Sequence, residues 1–243
     1  MRKLLKKVSI VLIGISILSL LGCSDLNEET ANVIEEKLSE KYNESFEVKY
    51  LGERWGTKSN DTVTTYVKAV DSDIMFTAVM DKSENIVENY PEMLLMNKFA
   101  SVFNKEIVEQ GLDASSWIRI HSKQPIEITK GMTVEDYLQK SNLDYIHVEI
   151  VMKRDESITA EKLKTIVQRS YDEFNGPSIS ATYWIFKDDE YKEVNDMLKK
   201  VANIDPSSLE SYEYDSNVFV ELTENGFVES DEDINNRLEG GGN

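Results

Sequence analysis

The fold is decided by residues 145–152, which read Tyr-Ile-His-Val-Glu-Ile-Val-Met. Apolar and polar residues alternate along most of this stretch, and a period of two is typical of a β-strand with one buried face. The apolar side is formed by Ile146, Val148, Ile150 and Met152. Tyr145, His147 and Glu149 then share the opposite side. The stretch predicts a half-buried strand that carries polar and aromatic groups on its other face.

Further elements on both sides of this strand predict a second α+β unit at residues 112–228. A strand at 116–121 precedes it, and another at 179–186 follows it. Thr133 begins a capping-box pattern for a short helix, and Thr159 caps a longer helix. The remaining predicted elements are a helix at about 189–201 and a closing hairpin at 218–228 whose turn is Glu224-Asn225-Gly226.

The residues before this unit, 23–111, predict a first unit of the form α-β-β-β-α. Its predicted elements are a helix from about Asn27, strands at 46–50, 63–70 and 74–80, and a helix at 93–108 that ends at Gly111. Helices and hairpins occur together in both units, so the predicted fold class is α+β, with antiparallel or mixed sheets backed by helices. The acidic and glycine-rich end, 229–243, is predicted to be disordered.

The beginning of the chain has the pattern of an export signal. Residues 1–7 carry four positive charges and no acid, and residues 8–21 are largely apolar. Such a basic segment followed by an apolar one is typical of a secretory signal peptide. The apolar run of about 14 residues would span roughly 21 Å as a helix, against roughly 30 Å of bilayer hydrocarbon. It is therefore too short for a comfortable transmembrane span.

The signal ends in Leu20-Leu21-Gly22-Cys23, which resembles the lipobox of bacterial lipoproteins. This resemblance implies that the Cys23 thiol receives a diacylglycerol and that cleavage removes residues 1–22. Two acyl chains give stable anchoring where one gives only marginal binding. The Lys-, Glu-, Asn- and Ile-rich composition and the stretch 41–48 are similar to small lipoproteins of low-GC Gram-positive bacteria. The implied location is the outer face of the cell membrane, with the lipid on Cys23 as the anchor.

The strongly negative net charge excludes nucleic acid as a partner. The chain has 27 basic and 45 acidic residues, and residues 1–22 contain four of the basic residues and no acidic ones. The mature protein thus has 23 basic residues against 45 acidic ones, a net charge of −22. Such a surface repels nucleic acid and anionic lipid headgroups. Basic protein surfaces, cations and neutral small molecules remain as partners.

Sequence motifs predict no catalytic residue, cofactor or metal site. The mature chain contains no Gly-x-Ser-x-Gly elbow, no glycine-rich phosphate loop and no His-Glu-x-x-His pattern. The two histidines, His121 and His147, fall on different predicted strands, and nothing in the sequence requires them to meet. Cys23 is the single cysteine, so the chain forms no intramolecular disulfide.

The candidate interaction face combines two predicted strands of the second unit. In the strand at 116–121, Ile118 and Ile120 point inward. If this strand shares a sheet with 145–152, the open face carries Trp117, Arg119, His121, Tyr145 and His147, with Trp184 as a further candidate. Exposed aromatic residues beside an arginine are typical of interaction surfaces. The alternative is that another part of the chain covers this face and uses these residues for packing.

Three functional classes remain open. The leading hypothesis is a membrane-tethered, non-enzymatic binding module that acts on an envelope or surface protein. The second is a solute-binding lipoprotein of a transporter, although the hairpins of the first unit do not fit the two large α/β lobes that such proteins need. The third is an envelope hydrolase that uses a pair of carboxylates, which the abundance of acidic residues neither favours nor excludes.

Overall fold

A computed structural model describes residues 28–52, 61–122, 126–141, 143–202 and 204–240, and for His121 and Asp144 it describes the backbone alone. The predicted signal peptide, residues 1–22, and Cys23 lie outside the described residues. The described chain contains seven helices and two sheets, which confirms the α+β class. It divides into two compact units, residues 28–93 with 199–202, and residues 94–198 with 204–240.

The first unit contains a four-stranded antiparallel sheet. Its elements are α1 (Glu28–Tyr42), β1 (Phe46–Leu51), β2 (Thr62–Ala69), β3 (Ile74–Asp81) and β4 (Ile86–Glu88), with the strands in the order β1-β2-β3-β4. Helix α1 buries Ala31, Ile34 and Leu38, which lie on one helical face because they are three or four residues apart. The strand β4 is additional to the three predicted strands, since three residues are too few to show a pattern.

The next helix, α2 (Tyr90–Glu109), begins in the first unit and continues into the second. The division between the units falls after Met93, whereas the sequence placed it after Gly111. The physical reason is that the apolar stripe of α2 belongs to the core of the second unit, through Leu95, Phe99, Ala100, Phe103 and Ile107. An apolar stripe shows that a helix is covered, but it does not show which sheet covers it.

The second unit is built on a five-stranded mixed sheet. Its elements after α2 are β5 (Ala114–Ser122), α3 (Val134–Lys140), β6 (Leu143–Lys153), α4 (Ala160–Glu173), β7 (Ser178–Phe186), α5 (Asp188–Leu198), α6 (Pro206–Leu209), β8 (Ser216–Thr223), β9 (Gly226–Phe227) and α7 (Asp231–Glu239). The strand order is β5-β6-β7-β8-β9. Strands β6 and β7 are parallel and are connected through α4, and the other neighbours are antiparallel.

Local sequence signals set the ends of several of these elements. The Thr133 hydroxyl accepts from the backbone N–H of Asp136, whose carboxylate accepts from Thr133 in return, so the predicted capping box is confirmed. Thr159 caps α4 as predicted. At the other end of α4, Asn175 and Gly176 take positive φ angles of 56° and 99°, a conformation that stops a helix.

The prediction of disorder at the end of the chain is wrong. Residues 229–243 were expected to be disordered, but α7 forms at Asp231–Glu239, with a capping box between Ser230 and Asp233. Ile234 and Leu238 are buried in the core of the second unit. Two apolar residues four positions apart are enough to dock a short helix, although the acidic composition around them hides the pattern. None of the helices in the described stretches is long and apolar enough to cross a membrane.

The two faces of the second sheet are covered differently. Ile146, Val148 and Ile150 point into the main core, together with residues from α2, α4 and α7. On the opposite face, Val151, Trp184 and Phe186 are also buried, but they lie outside the main core cluster. Helix α5 contacts β6 and β7 and buries Tyr191, Val194 and Leu198. We infer from strand alternation that α5 covers this end of the opposite face.

Candidate functional site

Beside the part covered by α5, the second sheet carries a polar face made up of Trp117, Arg119, Tyr145, His147, Glu149 and Ser180. Arg119 on β5 lies directly opposite His147 on β6, and His147 lies opposite Ser180 on β7. Ser180 in turn lies opposite Glu221 on β8. Directly paired residues point to the same side of a sheet, and neighbouring strands are about 4.8 Å apart. Strands β5, β6 and β7 therefore place a guanidinium, an imidazole and a hydroxyl in one row.

The carboxylate of Glu149 lies at the centre of this face. Its Oε1 atom accepts from Nη2 of Arg119 at 2.7 Å and from Nε2 of His147 at 2.8 Å. Its Oε2 atom accepts from the indole N–H of Trp184 at 2.7 Å. The side chain of Glu149 is only 5% exposed. A buried carboxylate is costly unless it is paired and hydrogen-bonded, and these three donors meet that requirement.

The three donors also decide the charge of Glu149. Burial raises the pKa of the Glu149 carboxyl, but hydrogen bonds from His147 and Trp184, with the positive charge of Arg119, outweigh it. The pKa of Glu149 therefore lies below the ordinary value for a glutamate, and the group is ionised at neutral pH. An ionised carboxylate only accepts hydrogen bonds, so the Nε2 atom of His147 must carry the proton between them.

The other ring nitrogen of His147 contacts a serine. Its Nδ1 atom lies 3.1 Å from the Oγ atom of Ser180. In the neutral imidazole Nδ1 has a lone pair, because the proton is on Nε2, and the Ser180 hydroxyl donates to it. Ser180, His147 and Glu149 therefore form one continuous chain of hydrogen bonds. The side chain of His147 is 20% exposed, so one edge of this chain reaches solvent.

The structure places the predicted interaction residues in different environments. Arg119 and His147 both contact Glu149, Tyr145 is 37% exposed, and Trp117 is half-buried. His121 pairs with Tyr145 through the backbone, and its side chain is outside the description. Trp184, the further candidate, is not exposed: it is buried, packs edge-on against Tyr214 and supports Glu149 from within. Its role is to hold the face in place.

The sequence did not identify Ser180, or the role of Glu149 as the organising group. A signal for Glu149 was present, since His147 and Glu149 are two residues apart on one strand. The link to Ser180 depends on the parallel register of β6 and β7, which a helical crossover leaves open. Only that register places Ser180 beside His147.

Acidic groups surround the polar face. Glu221 is half-buried opposite Ser180. Hydrogen bonds from Ser207 lower the pKa of Asp205, and the positive charge of Arg119 lowers it further. Arg119 is paired with Glu149, and Glu221 adds a second acidic group on the same face of the sheet, opposite Ser180. No group of three or more His, Cys, Asp or Glu residues that could hold a metal ion occurs within the described part of the chain.

Comparison with known proteins shows a similarity of fold to a solved structure. The chain is similar to the crystal structure of a DUF5037 family protein from Ruminococcus gnavus ATCC 29149, with a TM-score of 0.67. The sequence identity is 14%, and the similarity covers 86% of this chain and 99% of the other. No family model matches the chain, and no curated protein matches its sequence. At this level of identity, the similarity shows a shared fold alone.

Proposed function

We propose that the protein is a lipoprotein anchored to the outer face of the cell membrane through Cys23, and that its polar face binds a basic protein of the cell envelope. The observation that carries the binding role is the organisation around Glu149. This buried carboxylate fixes Arg119 and His147 in defined positions beside the exposed Tyr145. Polar groups fixed before binding lose little conformational freedom when a partner arrives.

The charge and the side-chain types support a basic protein partner. The net charge of −22 on the mature chain attracts positive surfaces over the range of a Debye length, roughly 8 Å at physiological salt. Glu221 and Asp205 bring acidic groups to the polar face itself. Tyr145 and Trp117 add aromatic residues, which are enriched where proteins bind each other. Lysine or arginine side chains of a partner fit such a surface.

The lipobox resemblance and the short connection to α1 support the location. Helix α1 begins at Glu28, five residues after Cys23, and five residues span at most about 17 Å. A lipid on Cys23 therefore keeps the first unit close to the membrane surface. The partner would be a protein that the folded chain can meet at that surface.

Metabolic labelling with an alkyne fatty acid tests the anchor. We expect the wild-type chain to take up the label, to lose residues 1–22 and to remain in the membrane fraction. Cys23→Ser should take up no label and keep the size of the precursor. Unchanged labelling, size and membrane retention in Cys23→Ser would refute the lipid anchor.

Charge reversal tests the binding role. The full-length lipidated protein is crosslinked in intact cells, and its partners are identified by mass spectrometry. We expect a partner with a basic surface, and we expect Asp205→Lys with Glu221→Lys to lower its recovery at least tenfold. The matched control is Glu161→Lys with Glu173→Lys, which reverses two exposed acidic residues of α4, a helix that packs on the other side of the sheet. Equal recovery with the face variant and the control variant would refute binding at the polar face.

A further inference from the structure

The polar face contains an arrangement that binding does not require. Ser180 contacts Nδ1 of His147 at 3.1 Å, and Nε2 of His147 contacts Glu149 at 2.8 Å. A hydroxyl, an imidazole and a carboxylate in this order are the parts of an activated serine nucleophile. The three residues come from two neighbouring parallel strands, β6 and β7, and strands hold side chains more rigidly than loops do.

Proton positions in this chain of hydrogen bonds suit a general base. Because the ionised Glu149 accepts from Nε2, the lone pair of neutral His147 is on Nδ1, where it faces the Ser180 hydroxyl. A base nitrogen within about 3.2 Å of the oxygen that carries the proton is close enough for general-base catalysis. Here the Glu149 carboxylate is hydrogen-bonded to Nε2 of His147, and the Ser180 hydroxyl is hydrogen-bonded to Nδ1.

Glu149 is well placed to orient the base. Its side chain is 5% exposed, and it is held from two further directions by Arg119 and by the indole of Trp184. The carboxylate cannot rotate without losing at least one charged hydrogen bond. It therefore keeps the imidazole ring in one orientation and stabilises the imidazolium when a proton arrives.

We propose that Ser180 is a catalytic nucleophile for carboxylic esters, with His147 as the general base and Glu149 as the positioning residue. Ser180 Oγ attacks the ester carbonyl carbon, and its proton passes to Nδ1 of His147. The bond from that carbon to the alcohol oxygen breaks, and the alcohol leaves with the proton from Nδ1. The acyl group is then an ester of Ser180.

Water completes the cycle. It attacks the acyl carbon while Nδ1 of His147 takes one of its protons. The bond to Ser180 Oγ breaks, and Oγ regains that proton, so the products are a carboxylic acid and the original hydroxyl. No oxidant, reductant or metal enters this sequence, and the ester and water supply all the atoms.

The surroundings indicate the substrate class. A negative charge develops on the carbonyl oxygen during the attack, and Arg119 in the same row supplies positive charge. The guanidinium has five N–H donors, of which one is bonded to Glu149, and the side chain is 43% exposed. Glu221 and Asp205 repel anions, so a neutral or cationic ester fits better than an anionic one.

A fluorophosphonate probe tests this proposal on the full-length protein in isolated membranes. The Ser180 hydroxyl would attack the phosphorus atom and displace fluoride, and the phosphonyl group of the probe would stay bonded to the serine. We expect labelling of the wild-type chain, with the probe on Ser180 by peptide mass spectrometry, and loss of that label in Ser180→Ala. We expect His147→Gln to slow labelling by about 100-fold or more, because the general base is lost.

The matched control is Ser178→Ala, on the same strand and opposite Tyr145. It should be labelled at the wild-type rate, and both serine variants should keep the wild-type thermal unfolding midpoint. A wild-type chain labelled no faster than Ser180→Ala would overturn the proposal, and so would equal labelling of His147→Gln and the wild type. Neither result would affect the proposed binding role, which is measured by partner recovery.

Discussion

Two buried carboxylates, one in each unit, show why similar burial leads to different chemistry. The side chains of Glu88 and Glu149 are 4% and 5% exposed, and each accepts three hydrogen bonds. The donors to Glu88 are the Lys41 ammonium, the Tyr42 hydroxyl and the backbone N–H of Tyr90, the first residue of α2. The donors to Glu149 are Arg119, His147 and Trp184.

The two carboxylates differ in the chemistry of the side chains that donate hydrogen bonds to them. The hydrogen bond to Glu88 raises the pKa of Lys41. The pKa of Tyr42 is raised mainly by burial and also by its hydrogen bond to Glu88. Neither group exchanges a proton near neutral pH, so we assign Glu88 a structural role at the start of α2. The imidazole beside Glu149 instead has a second ring nitrogen, and that nitrogen contacts a hydroxyl.

Removing the carboxylate of Glu149 should give the largest effect. We expect Glu149→Ala to lower the free energy of unfolding by about 3–5 kcal/mol, because Arg119, His147 and Trp184 lose their shared acceptor. Urea denaturation followed by tryptophan fluorescence measures this change. A loss below about 1 kcal/mol would mean that water replaces the carboxylate, and that the network is not a buried one.

Removing the carboxylate of Glu88 separates stability from function. We expect Glu88→Ala to lower the free energy of unfolding by about 2–3 kcal/mol, since two side-chain donors and one backbone N–H lose their acceptor. Partner recovery and probe labelling should match those of the wild type. If Glu88→Ala abolished either readout while the protein stayed folded, the contrast between the two carboxylates would be wrong.

A smaller change removes one donor to Glu149. We expect Trp184→Phe to lower the free energy of unfolding by about 1–2 kcal/mol, because Glu149 loses a hydrogen bond while an aromatic ring still packs against Tyr214. Denaturant titration is again the measurement. Trp117→Phe, on the same face, is the matched control and leaves the three hydrogen bonds to Glu149 in place. Equal effects of the two variants would contradict a supporting role for the Trp184 indole.

The smallest expected effect is a pH dependence. The pKa of Glu149 in the folded chain lies below its usual value near 4.5, so the unfolded chain binds more protons as the pH falls. The stabilisation from ionised Glu149 is therefore present above about pH 4.5 and is lost as the pH falls through the folded pKa. The difference in unfolding free energy between the wild type and Glu149→Gln should narrow from about pH 6 to about pH 3. A difference that widened on acidification would contradict the lowered pKa.

Much of the fold could be predicted because its signals are local. The alternation at 145–152 and the caps at Thr133 and Thr159 act over a few residues, and the structure contains each of them. The turn before Gly226, which takes a φ of 100°, is also a local signal. Fold class follows from such signals when they agree.

The parts that the sequence did not show depend on contacts between distant residues. The stripe of α2 could have covered either sheet, and Ile234 with Leu238 gave too short a pattern to predict α7. For the candidate site, strand alternation placed His147 and Arg119 on one face. Strand order and register added Ser180, and the cover from α5 turned Trp184 from a surface residue into a buried support.

The central claim is that Glu149 fixes the proton of His147 on Nε2 and leaves Nδ1 facing Ser180. Nitrogen NMR of the imidazole tests it most directly, with His147→Gln used to distinguish the signals of His147 from those of His121. We predict that neutral His147 has a protonated Nε2 and an unprotonated Nδ1, and that this preference weakens in Glu149→Gln. A neutral His147 with its proton on Nδ1 would contradict the account.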